Sequence, residues 1–230
     1  MTVDSGHDFD VVVIGGGTAG MTAAREIARG GKHVALVEQR RTGGECLHTG
    51  CVPSKTFLAT AKLLYRIGHA GDLAVDVPQA HVDFDRLKQR KDAVIDRVGA
   101  IDTAEALESD GVRVFSGAAR FTGSFSLDTG SQVLTARQFV LATGSRPAIP
   151  PIEGLHSAGY LTHESILDID ILPERLAVIG AGATGLELGQ AFARFGSRVT
   201  IIERSPGILP GSDVEVADVV LRQLQAERID

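Results

Sequence analysis

Val11-Val12-Val13-Ile14-Gly15-Gly16-Gly17-Thr18-Ala19-Gly20 is the stretch that decides how this chain folds. Four consecutive β-branched apolar residues suit a strand buried on both faces, where alternation with polar residues is not needed. The glycines after them form a GxGxxG turn, and Ala23 to Arg29 continue with small, helix-forming residues. A second apolar run, Val34-Ala35-Leu36-Val37, ends in Glu38. In this order each residue type has a physical task. Gly15 permits the tight turn, Gly17 lets a pyrophosphate approach the backbone, and Gly20 lets helix and strand pack closely, while the helix N-terminus attracts the anion. Glu38 stands where a carboxylate accepts hydrogen bonds from ribose hydroxyls.

The same unit returns later in the chain. Leu176 to Ile179 lead into Gly180-Ala181-Gly182-Ala183-Thr184-Gly185, then a helix from Leu186 to Phe195, a strand from Val199 to Ile202, and Glu203. Gly15/Gly180, Gly17/Gly182, Gly20/Gly185, Gly31/Gly196, Val34/Val199 and Glu38/Glu203 share one offset of 165 residues. Such a register, without gaps, implies two nucleotide sites. The expected architecture is α/β, with two Rossmann-like dinucleotide-binding domains on parallel central sheets.

Between the copies lies Gly43-Gly44-Glu45-Cys46-Leu47-His48-Thr49-Gly50-Cys51-Val52-Pro53-Ser54-Lys55, which holds both cysteines of the chain. Gly50 gives the loop freedom to bring the sulfurs within disulfide range. Pro53 suits the first position of a helix running to Tyr65, which places Cys51 just ahead of a helix N-terminus, where the dipole favours a thiolate. A redox pair, an inert staple, and half of a zinc site with His48 are the three readings. Zinc needs two further ligands that no neighbouring Cys or His cluster supplies. Lys55 falls one helical turn beyond Cys51, on the same side.

Composition narrows the function classes. The 230 residues carry 23 Lys and Arg against 29 Asp and Glu, a formal charge of −6, with 43% hydrophobic and 23% charged residues. An ordinary globular composition without a basic run argues against nucleic acid and anionic membrane partners. The first residues, Met1 to Asp8, are polar, and no apolar run reaches bilayer length, so a cytoplasmic setting is expected. No Trp is present, which disfavours a base-stacking platform.

The remaining segments read more quietly. Asp83 to Ile101 carries apolar residues at helical spacing, with Arg86, Lys88, Arg90, Lys91 and Asp92 as a solvated face. Val112 to Phe115, Phe125 to Leu127 and Gln132 to Leu134 suggest a small antiparallel meander. Phe139 to Ala142 reads as a further buried strand that leaves through Thr143-Gly144-Ser145-Arg146-Pro147, either a tight exit near a cofactor or a plain Gly-Pro loop. Pro150-Pro151 marks a linker, which divides the chain into 1–150 and 151–230. His156 and His163 receive no catalytic role.

The pattern GGxCxxxxCxPSK resembles the active-site signature of the class I FAD-dependent pyridine nucleotide-disulfide oxidoreductases, the family of glutathione reductase, dihydrolipoamide dehydrogenase and mercuric reductase. The resemblance covers nearly the whole chain, and Leu188 to Arg194 look most like mercuric reductase-type members. It implies FAD at the first repeat (Gly15, Gly17, Gly20, Glu38, with Gly43, Gly44, Lys55, Thr143 and Gly144) and NAD(P)H at the second (Gly180, Gly182, Gly185, Glu203). Cys46 would be the interchange thiol and Cys51 the thiol facing the flavin. Lys55 would reach the flavin and pair with Glu187, which on local sequence alone is equally a first-turn helix acid. Electrons would pass from nicotinamide through flavin to the Cys46/Cys51 disulfide and on to a small disulfide-type substrate. Glu203 suits NADH over NADPH by charge, although Arg198 and Arg204 flank it. The resemblance also implies a homodimer. A metal role is unsupported, because the terminal cysteine pair of mercuric reductase-type members is missing.

The departures are Glu45, where the family usually has threonine, and length. Family members complete the second nucleotide domain, return to the FAD domain through a Gly-Asp motif, and add a dimerisation domain that donates a His/Glu base. On this reading 151–230 is the start of a nucleotide domain with an open parallel edge, and the alternative is a nucleotide-binding remnant without turnover.

Overall fold

The computed structural model describes residues 6–230, so Met1 to Ser5 of the polar leading stretch lie outside the described residues. The chain forms two compact units. One comprises the residues up to Val52 with Ile95–Leu155, the other Pro53–Val94 with His156–Asp230.

In the first unit, β1 (Phe9–Ile14), α1 (Thr18–Arg29) and β2 (Val34–Glu38) form the expected strand-turn-helix-strand. They are followed by α2 (Gly44–His48), the start of α3 (Cys51–Gly68), and the end of α4 (Phe84–Gly99). Then come α5 (Ala104–Ser109), β3 (Val112–Ser116), β4 (Arg120–Gly123), β5 (Ser126–Asp128) and β6 (Val133–Leu141). The strands make one mixed six-stranded sheet in the order β3-β2-β1-β6-β5-β4. β1 pairs in parallel with both β2 and β6, so its side chains point alternately into two separate cores. Val12 and Ile14 pack with Phe9, Ala35, Val37 and Leu127 on one face, while Val11 and Val13 pack with Met21, Ala24, Leu36 and Leu107 on the other. Burial on both sides is why this strand has no polar alternation.

Three sequence expectations are corrected here. Val112 to Phe115 does not belong to the meander. It is β3, paired in parallel with β2 at the sheet edge, and its polar alternation reflects that edge position, with Val112 buried and Arg113 exposed. The antiparallel part is instead β4-β5-β6. The pieces read separately at Gln132 to Leu134 and Phe139 to Ala142 are one strand, β6, which pairs with β5 at its start and with β1 over the rest. Its last residue, Leu141, is 68% exposed, so this is not a wholly buried strand.

The second unit contains a short helix end at α6 (Leu155–Ala158), β7 (Arg175–Ile179), α7 (Ala183–Phe195), β8 (Arg198–Ile202) and α8 (Val214–Ala226). β7 and β8 pair in parallel as a two-stranded sheet. Its core is a group of aromatic rings, Phe57, Phe84, Phe192 and Phe195, with neighbouring centroids 5.9 to 6.5 Å apart. Because Phe57 and Phe84 belong to this core, the helical segment 53–94 is part of the C-terminal unit. The spatial division therefore differs from the contiguous partition at 150/151.

A further correction falls in this unit. Lys91 is not on a solvated face: its side chain is 5% exposed, and its ammonium bonds the Leu167 carbonyl at 3.3 Å and the Asp168 carboxylate, while Lys88 bonds Asp170 at 2.6 Å. Helical spacing located α4 but could not reveal the turn at Ile166–Asp168 that packs against it. Past α8, Asp230 N–H donates to the Val199 carbonyl at 3.2 Å and its own carbonyl accepts from Ile201 N–H at 2.6 Å, and β7 and β8 remain the only strands of this sheet among the described residues.

Candidate functional site

The two glycine turns share the same geometry. Gly15 and Gly180 have φ of 106° and 109°, outside the range of ordinary L residues. Their amides close onto the neighbouring strand, Gly15 N–H to Val37 and Gly180 N–H to Ile202, each at 2.8 Å. A Cβ on Gly20 would lie 1.8 Å from the Gly15 carbonyl oxygen, and one on Gly185 would lie 2.2 Å from that of Gly180. Helix and turn thus touch at backbone level in both copies. Gly17 and Gly182 are the N-caps of α1 and α7, and neither helix start has a side-chain cap. A dipole end without a competing side chain is the arrangement that takes a phosphate.

The two acids also match. Glu38 accepts Gly16 N–H at 2.6 Å and Arg40 N–H at 2.8 Å; Glu203 accepts Ala181 N–H at 2.8 Å and Ser205 N–H at 2.9 Å. These bonds fix each carboxylate at the rim of its glycine turn. The backbone bonds from Ser205, then Ala181, hold the Glu203 carboxyl below the usual glutamate range, so it is ionised at neutral pH.

The dithiol turn is built against the first glycine turn. Gly43 N–H donates to the Gly16 carbonyl at 2.9 Å, and Gly43 forms a parallel bridge with Gly17. Gly44, at φ 60°, sits so close that a Cβ would come 2.6 Å from the Gly17 Cα. Gly44 is therefore a docking requirement between two backbones, whereas a Cβ on Gly43 would strike the Leu47 and His48 side chains. Cys46 lies in α2, and Gly50 N–H returns to the Glu45 carbonyl at 2.6 Å, which closes the turn between the cysteines. Cys51 is the first residue of α3 and Pro53 the third, so the helix begins two residues earlier than expected. Cys46 is half-buried and Cys51 exposed. His48 Nε2 meets the Thr42 carbonyl at 2.8 Å.

The remaining site residues divide by unit. Ala142 N–H bonds the Ile14 carbonyl at 2.8 Å, and a Cβ on Gly15 would meet the Ala142 carbonyl oxygen at 2.1 Å, so the strand exit into Thr143 and Gly144 passes directly against the first turn. Within the second unit, Lys55 Nζ and Glu187 Oε2 form an ion pair at 2.7 Å, with side chains 59% and 45% exposed. A pair this exposed contributes little to stability, about 0 to 1 kcal/mol. A cavity of about 440 Å³ adjoins Glu38, lined among others by Arg41, His48, Asp96, Thr103 and Ser116. Sequence reading passed over Arg41, Asp96, Thr103 and Ser116 as site residues, since they come from separate segments and share no motif.

The structure thus carries two glycine turns of matching geometry, the first with the cysteine-bearing turn docked on it. Residues 9–230 match the family "Pyridine nucleotide-disulphide oxidoreductase", and the chain belongs to it. It is similar to mercuric reductase of Bacillus cereus, at 30% identity over 99% of this chain and 36% of that protein. It is also similar to dihydrolipoyl dehydrogenase of Bacillus subtilis, at 32% identity over 91% of this chain and 47% of that protein. Among solved structures, the Cu(II) complex of the HOCl-induced flavoprotein disulfide reductase RclA from Escherichia coli matches with a TM-score of 0.81 and 31% identity, over 96% of this chain and 48% of that one. The chain thus spans half or less of the length of these proteins. Among the described residues no helix is long and apolar enough to cross a membrane.

Proposed function

We propose that this chain carries the FAD and dithiol portion of an NAD(P)H-dependent disulfide oxidoreductase, acting in the cytoplasm as part of a homodimer. The observation that carries the reading is the docking of Gly43 and Gly44 on Gly16 and Gly17, which ties the two cysteines to an anion-binding turn. The first turn fits an FAD pyrophosphate: α1 begins without a side-chain cap, and Gly15 and Gly17 present backbone alone. Glu38 would hold the ribose, and Gly180, Gly182, Gly185 and Glu203 would hold the nicotinamide dinucleotide. When bound, FAD supplies a redox group able to take a hydride equivalent from a nicotinamide and pass the electron pair to a disulfide.

The chain's own residues account for the substrate half. The Cys46 thiolate attacks an external disulfide, forms a mixed disulfide, and releases one substrate thiolate, which takes a proton. Cys51 then attacks the Cys46 sulfur, closes the Cys46–Cys51 disulfide and releases the second thiolate. At the first position of α3, Cys51 is favoured as a thiolate by the helix dipole. Lys55, held by Glu187, sets a positive charge one turn along the same helix. The ionised Glu203 suits the free 2′-hydroxyl of NADH over a 2′-phosphate.

The absorption spectrum of the purified chain is the test. A flavin band that bleaches with NADH supports the proposal, and in Cys46→Ser bleaching should persist while disulfide turnover falls by at least about 100-fold. Absence of bound flavin leaves a nucleotide-binding remnant, and equal loss of both activities removes the role given to Cys46.

A further inference from the structure

We infer that His48 is a positioning residue, a clasp that registers the Cys46 helix on the FAD-binding turn. Opposite a carbonyl oxygen only an N–H makes a bond, so the 2.8 Å contact to Thr42 fixes the proton on Nε2. In the neutral ring Nδ1 is then the acceptor nitrogen. It is buried and has no hydrogen-bond partner among the described residues. An orphaned buried acceptor is unfavourable, so the favourable polar contact of the ring is the one its other nitrogen makes.

What that nitrogen holds is the residue next to the docking glycine. Thr42 precedes Gly43, whose N–H bonds Gly16 and whose backbone bridges Gly17. The imidazole lies under this joint: a Cβ on Gly43 would come within 3.0 Å of His48 Nε2 and 2.3 Å of the Leu47 side chain. Because His48 is the last residue of α2, its bond runs from the end of the Cys46 helix back to the strand exit, closing a ring of chain around both glycines. The clasp thus joins three things: the helix that carries Cys46, the Gly43–Gly44 pair, and the turn that would take the pyrophosphate. Its effect on FAD rests on the function proposed above; its effect on the Gly43 joint does not.

Amide exchange in the FAD-free chain separates the two. In His48→Leu the Gly43 amide should exchange at least about tenfold faster than in the wild type, while the amides of β1 stay unchanged. In His48→Gln, whose side-chain N–H can serve the same carbonyl, it should stay within about threefold. The inference is overturned by an unchanged Gly43 amide in His48→Leu, by a Gln variant as fast as the Leu variant, or by acceleration spread equally through β1, which would signal general destabilisation only. In a fluorescence titration, FAD should bind His48→Leu at least about tenfold more weakly than wild type, with His48→Gln close to wild type. Wild-type protein that takes up no FAD would overturn the function and leave the exchange result to judge the clasp.

Discussion

At the scale of single residues, one motif glycine bears different loads in the two repeats. Gly15 and Gly180 share nearly the same φ, but a Cβ on Gly15 would strike the Ala142 carbonyl oxygen at 2.1 Å, and one on Gly180 would meet nothing within 4 Å. Gly180→Ala should therefore cost only the backbone strain of a positive φ, about 1–2 kcal/mol. Gly15→Ala adds overlap with a strand that cannot move and should cost about 3 kcal/mol or more. Urea melts, with amide exchange assigning the loss to each unit, check the ranking; equal costs would mean that Ala142 gives way. Both glycines, Glu38 and Glu203 were legible because their spacing is imposed by local backbone geometry. Lys91 was not, since its partners Leu167 and Asp168 are brought to it only by packing.

At the scale of elements, α7 and α8 are joined by a shielded ion pair. Arg194 makes two bonds to Glu227, at 2.7 and 2.8 Å, with side chains 16% and 8% exposed, and Gln190 and Gln223 also donate to that carboxylate. Arg194 further lies 4.5 Å over the Tyr65 ring of α3. Arg194→Met would leave the glutamate buried without its cation, at a cost of about 3 kcal/mol confined to the second unit. Burial works to raise the Glu227 pKa, but hydrogen bonds from Arg194 and Gln223 outweigh it and hold the group below the usual glutamate range. A depressed folded value means that the unfolded chain binds the proton more readily. The contribution is complete above the unfolded value of about 4.3 and fades as pH falls through the lower folded value. Denaturation between pH 7 and 3 should show the penalty of Arg194→Met shrinking only at the acid end. A constant penalty would exclude this linkage.

At the scale of the whole molecule, the repeat is kept in the backbone and broken in the burial. Ile14 is 7% exposed and its counterpart Ile179 is 48%; Val37 is 1% exposed and its counterpart Ile202 is 52%. Ile14 and Val37 are covered because β6 lies beside β1 and β3 beside β2, whereas β7 has β8 alone as a named strand partner among the described residues. An apolar residue at an open parallel edge invites association. Ile179→Lys should therefore change stability by less than about 0.5 kcal/mol and reduce concentration-dependent light scattering. Undiminished scattering would place the sticky surface elsewhere.

The sequence by itself determined the two strand-turn-helix-strand units, their glycines and acids, and the dithiol turn between them. These follow from interactions spanning a few tens of residues at most, where residue type and spacing fix the backbone. Only the tertiary structure decided that β3 lies parallel beside β2, that 53–94 packs with the C-terminal unit through Phe57 and Phe84, and that Gly43 rests on Gly16. Such contacts join segments whose separation along the chain leaves no period or motif, so they exist only once the apolar faces have found each other.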